Sequence, residues 1–121
     1  MATYSGPQDS GGVLVSRLIS AASTNATSVK ASAGQLYGWY LFNSSSATRY
    51  LKIYNKASAP TVGTDTPFMT IPIPGGAAAN VFFTHGIAMD TGIAFGLTTG
   101  MTDGDTGAVA ASQIVVNLLY F

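Results

Sequence analysis

Residues 49–55 read Arg-Tyr-Leu-Lys-Ile-Tyr-Asn. Leu51 and Ile53 fall on one side of an extended chain, with Tyr50, Lys52 and Tyr54 on the other. A period of two is that of a half-buried strand, because successive side chains of a strand point to opposite faces. Just upstream, residues 35–43 (Gln-Leu-Tyr-Gly-Trp-Tyr-Leu-Phe-Asn) are dense in aromatics of high strand propensity. The small polar residues 44–48 between the two segments predict a hairpin.

Working outward, apolar runs at 13–19, 26–32, 67–74, 80–84, 86–100 and 113–121 are separated by Gly-, Ser-, Asp- and Pro-containing turns. Pro72 and Pro74 cannot donate ladder hydrogen bonds, which places 67–74 at a sheet edge. Ile93, Phe95 and Leu97 alternate with Ala94, Gly96 and Thr98. So small a face predicts close approach by a facing sheet or a neighbouring subunit. Leu118-Leu119-Tyr120-Phe121 is too apolar for an exposed tail and is read as a core strand or an interface strand, the core strand being favoured. The fold expected is all-β, a β-sandwich or jelly-roll-like barrel of about seven to eight short antiparallel strands. It forms one domain over 13–121, preceded by a flexible Gly-, Ser- and Pro-rich arm over 1–12.

Composition restricts function. Of 121 residues only 8% are charged, against roughly 25% in an average domain, and the formal net charge is zero. Glu and Cys are absent. Such a surface neutralises few phosphates and offers no polybasic patch, so neither nucleic acid nor membrane is expected as a partner. Weak self-repulsion suits a protein that works in contact with other subunits. The first residues carry no basic, apolar leader, and synthesis and folding in a cytoplasm are expected.

Catalytic chemistry at neutral pH draws on His, Glu, Cys, Lys and Asp. The chain has one His, His85, which is read as lying in a turn, and five Asp residues in predicted loops or the arm. No Gly-x-Ser-x-Gly elbow and no phosphate loop is present. A non-enzymatic protein without cofactor or metal is expected. Asp103-Gly104-Asp105 has the look of a calcium loop but lacks a closing Glu, and turn geometry is the favoured explanation. Asn25-Ala26-Thr27 and Asn43-Ser44-Ser45 match a glycosylation sequon.

The aromatics are the remaining candidates. Alternation sets Tyr37 and Trp39 on one face and Tyr40 and Phe42 on the other, one face being core. Tyr37, Trp39, Tyr50 and Tyr54 are the candidate interface or ligand-stacking residues, since Tyr and Trp suit both interfaces and sugar rings. The alternative is ordinary core filling and cross-strand pairing.

Residues 49–57 (Arg-Tyr-Leu-Lys-Ile-Tyr-Asn-Lys-Ala) and 59–67 (Ala-Pro-Thr-Val-Gly-Thr-Asp-Thr-Pro) resemble small virion structural proteins of tailed bacteriophages. Gly86-Ile87-Ala88, residues 91–95 and residues 115–120 fit the same resemblance, which spans about 35 to the end. It implies a sandwich or jelly-roll subunit on the particle surface, such as a capsid decoration or cement protein. It further implies a homo-oligomer, with a trimer favoured, and the major coat protein or other virion subunits as partners. In such proteins an N-terminal arm can contact the coat. The rival readings are a carbohydrate-binding module on the same fold and a tail, neck or fibre-base component.

Overall fold

The computed structural model describes residues 12–121. The arm expected over 1–12 therefore lies outside the described residues, apart from Gly12. Eight strands follow in order: β1 (Leu14–Ile19), β2 (Thr27–Lys30), β3 (Gly34–Asn43), β4 (Arg49–Tyr54), β5 (Met69–Ile73), β6 (Ala77–Met89), β7 (Ile93–Thr98) and β8 (Ile114–Tyr120). There is no helix among the described residues.

The strands form two four-stranded antiparallel sheets, ordered β1-β8-β3-β6 and β2-β7-β4-β5. First pairs with last, second with seventh, third with sixth and fourth with fifth. A long antiparallel ribbon folded over on itself gives this order, which is that of a jelly roll. The core between the sheets takes one face of each strand: Leu36, Trp39 and Leu41 from β3, Leu51 and Ile53 from β4, Ile93, Phe95 and Leu97 from β7, and Ile114, Val116 and Leu118 from β8. The apolar C-terminal run is thus a core strand, held between β1 and β3. β5, with Pro72, is an edge strand as expected.

The expected hairpin of 35–43 with 49–55 does not form. β3 and β4 lie in different sheets, and the serine loop carries the chain from one sheet to the other. Asn43 fixes that crossing. Its buried amide donates to Ala47 O at 2.8 Å and Ile73 O at 2.9 Å, and its Oδ1 accepts from Ser45 N at 2.9 Å. A loop that satisfies a buried Asn this fully has no need of the tight turn that a hairpin requires. Asn25 is likewise buried and bonded to Ala21 and Ser23, so both sequon side chains are engaged in the fold.

Candidate functional site: the open face of the β1-β8-β3-β6 sheet

The outer faces of the two sheets differ. On β2-β7-β4-β5 the outward positions of β4 and β7 are Tyr50, Lys52, Tyr54, Ala94, Gly96 and Thr98, yet Tyr50 is half-buried and the other five are buried. Two of the chain's own loops cover them. Val62, from the β4–β5 connection, lies over Gly96 so closely that a Cβ there would stand 2.8 Å from Val62 Cγ2. Thr106, from the β7–β8 connection, packs against Gly63 and joins the two loops. The small face expected on β7 is therefore met by loops, not by a sheet or another subunit.

Beneath that cover, the buried Lys52 Nζ donates to the carbonyl of Thr102, which also accepts from Asp105 N at 3.1 Å. Desolvation lowers the Lys52 pKa, while Asp105 and Asp103 oppose the shift. The positive charge beside the Asp103–Asp105 loop is thus a lysine from β4. Asp105 Oδ1 caps its own turn by accepting from Gly107 N at 2.8 Å, and no group of three or more metal-ligating side chains occurs among the described residues.

Of the four candidate aromatics, two are buried, one is half-buried and one stands on the open face. Tyr54 is buried under the loops, and its hydroxyl has no partner. Trp39 is 7% exposed and packs edge-to-face on Phe83, with ring centroids 5.6 Å apart. Tyr50 is half-buried on the loop-covered sheet, opposite Thr98 and Pro72. Only Tyr37 lies on the other sheet's outer face, stacked on Phe82 at 6.3 Å. Tyr37 and Trp39 do not share a face, because the β3–β6 register breaks between Leu36 and Gly38. Leu36 pairs with Ile87 and Gly38 with Phe82, so one residue of β3 spans four of β6. The insertion turns Trp39 inward, with Leu36, and leaves Tyr37 outside. His85 sits in this insertion, exposed, inside a strand and not in a turn between strands. Gly86, at φ +76°, supplies the backbone conformation that the insertion needs.

No protein-family model matches the chain, and no curated protein or solved structure does so either.

The outer face of β1-β8-β3-β6 has no loop over it among the described residues. Cross-strand register arranges it in three rows. Ile19, Val115, Phe42 and Ala78 form the first. Arg17, Asn117, Tyr40 and Asn80 form the second, and Val15, Leu119, Gly38 and Phe82 the third. A polar row thus runs between two apolar ones. Val15, Ile19, Tyr40, Phe42 and Phe82 are 58%, 41%, 46%, 45% and 52% exposed. At about half exposure these five leave on the order of 500 Å² open, given roughly 150–250 Å² per aromatic. That already lies within the roughly 300–600 Å² of the largest patch on a typical monomer, a size that is often functional. A shallow hollow of about 220 Å³ lies between Tyr40, Phe42, Ala78, Asn80, Val115 and Asn117. The Asn117 amide donates to Tyr40 O and Asn80 Oδ1 accepts from Leu41 N, each at 3.1 Å, so the polar row is anchored to the sheet.

Of this surface, alternation in β3 singles out Tyr40 and Phe42 as a pair sharing a face. Val15, Ile19, Phe82 and Val115 carry no such signal, because both faces of the strands bearing them mix apolar with polar or small residues.

Proposed function

We infer that the protein is a non-enzymatic structural subunit, working by packing its open sheet face on protein, and that its place is in a tailed-phage virion as a capsid decoration protein. The observation that carries the first part is the contrast between the two sheets: one is closed by the chain's own loops, and the other presents an apolar face built on rigid strands. The second part rests on the sequence resemblance. A jelly roll supports it only as architecture, because one fold hosts many functions.

In this reading the chain binds across joints between coat subunits and stabilises the assembled shell by mass action, since it binds the lattice and not free coat protein. Residues 1–12 reach the coat, and the sheet face holds subunits together. The contacts are apolar and backbone in character. Protein on the shell is therefore expected to stay bound as salt rises from about 0.1 M to 1 M, a range that screens exposed charge pairs strongly. Release over that range would contradict the account.

Immunogold labelling of particles purified from the biological source tests the location. Gold over the shell is the expected result. Gold confined to the tail, neck or fibre base would move the protein to another virion part, and unlabelled particles would overturn the assignment.

One observation favours a second reading, carbohydrate binding: the hollow beside Tyr40 and Phe42 is flanked by two amides. Stacking there would use Tyr40 and not the buried Trp39. Glycan-array binding that survives Trp39→Phe and is lost in Tyr40→Ala would support it.

A further inference from the structure

We propose that the open face of β1-β8-β3-β6 pairs with the same face of a second copy of this chain, as a two-fold dimer whose axis lies in the interface parallel to the strands. The inference rests on the structural-subunit reading above and names the partner of that face.

The pattern itself carries the argument. An isologous contact requires a surface that is complementary to itself after rotation. An apolar row, a polar row and a second apolar row meet this condition for either two-fold axis in the plane of the sheet, because polar row falls on polar row each time. Charge decides between the two axes. An axis along the rows sets β1 on β1 and brings Arg17 onto the partner's Arg17. An axis along the strands exchanges β1 with β6 and β8 with β3. Arg17 then faces Asn80 of the partner subunit, and Asn117 faces the partner's Tyr40. No like charges meet, and each donor finds an amide or hydroxyl.

Shape agrees. The same rotation places Ile19, the projecting side chain at the β1 end of the first row, over Ala78 of the partner subunit. Ala78 is the smallest residue of that row and lines the 220 Å³ hollow. Sheets packed face to face stay within about 30° of aligned, so the central pair, Asn117 and Tyr40, is the least displaced by twist.

Area agrees as well. The roughly 500 Å² from five side chains, with Tyr37, Val115 and the polar row added, approaches the ~800 Å² per partner of a standard interface. Zero net charge imposes no long-range repulsion on the approach. A self-complementary face favours a dimer over the trimer that the resemblance implied, because a three-fold ring joins two different surfaces.

Cysteine cross-linking in the full chain with a bis-maleimide of about 8 Å span tests the arrangement, and the absence of native cysteine makes it clean. Arg17 and Asn80 sit three strand spacings apart on one molecule, about 14 Å at ~4.8 Å per spacing, too far for the linker within the chain, whereas facing residues of stacked sheets lie about 10 Å apart, within its reach once the side chains are counted. The Arg17→Cys, Asn80→Cys double variant is expected to give a covalent dimer, with Arg17→Cys alone giving little. Adding Phe82→Asp, or Val15→Asp if that variant folds poorly, should abolish the dimer band while the far-ultraviolet spectrum is unchanged. Failure of the double variant to cross-link, or efficient cross-linking of Arg17→Cys alone, would overturn the arrangement. Gold over the shell would still stand if the dimer failed, so the two ideas can fall separately.

Discussion

Tyr54 and Lys52 show what the outward side of a strand becomes once loops close over it. Both alternate away from Leu51 and Ile53 as their sequence positions require, and both are buried all the same. The Tyr54 hydroxyl finds no hydrogen-bond partner, and its pKa is raised, first by desolvation and then by Asp65 and Asp103. A buried hydroxyl without a partner costs free energy that a phenyl ring does not. Tyr54→Phe is therefore expected to stabilise the fold by about 1 kcal/mol in urea unfolding at neutral pH. The raised pKa adds a sign to the pH dependence. Between the unfolded and the folded value the unfolded chain has lost this proton and the native one has kept it, so stability falls as pH rises past about 10. The gain from Tyr54→Phe should widen there. A variant less stable than the wild type at neutral pH would mean that the hydroxyl is satisfied. Asp65 runs the other way. The hydrogen bond from Lys56 at 2.6 Å, then that from Thr61 N, holds its pKa low, so the stability it contributes is present above the ordinary carboxylate pKa and lost in acid.

At the scale of elements, strand number and most strand positions are legible because alternation and turn residues are local signals; the division between β6 and β7 is not, since the turn expected at His85 lies inside β6. The edge position of β5 was legible in Pro72 for the same reason. Which strands pair was not. Two apolar segments separated by five small residues look the same whether the chain turns back within one sheet or crosses to the other. The buried amide of Asn43, which fixes the crossing, works through partners as distant as Ile73. The insertion in β6 was equally hidden, and with it the faces of Tyr37 and Trp39. The small face of β7 predicts close approach by a facing sheet or a neighbouring subunit; close approach there is, but the group that makes it belongs to a loop of the same chain, which alternation within β7 does not show. That group is Val62, which gives a direct test. Gly96→Ala is expected to cost about 1–3 kcal/mol by overpacking against Val62. Val62→Ala should restore part of the loss, and a double-mutant cycle measures the coupling. Simple additivity would show that the loop does not bear on the strand.

For the whole molecule, the unequal treatment of its two sheets is what links fold to use. The β2-β7-β4-β5 sheet spends its loops on its own outer face. The other sheet meets its surroundings with Val15, Ile19, Tyr40, Phe42 and Phe82 on regular strands. Scarce charge and zero net charge are whole-chain properties that need no structure, and they are one ground on which we propose that the protein works in contact with others. The site was legible only in part. Alternation pairs Tyr40 with Phe42, but the candidates it leads to are Tyr37, Trp39, Tyr50 and Tyr54, because choosing between the two faces of β3 requires knowing which one the core takes. That choice is made by contacts between sheets, far apart in sequence.

The most direct test is the solution mass of the purified full chain by light scattering, measured beside Phe82→Asp. The account predicts twice the 12.4 kDa of one chain for the wild type and a single-chain mass for the variant. A wild-type monomer, or a trimer indifferent to Phe82→Asp, would contradict it.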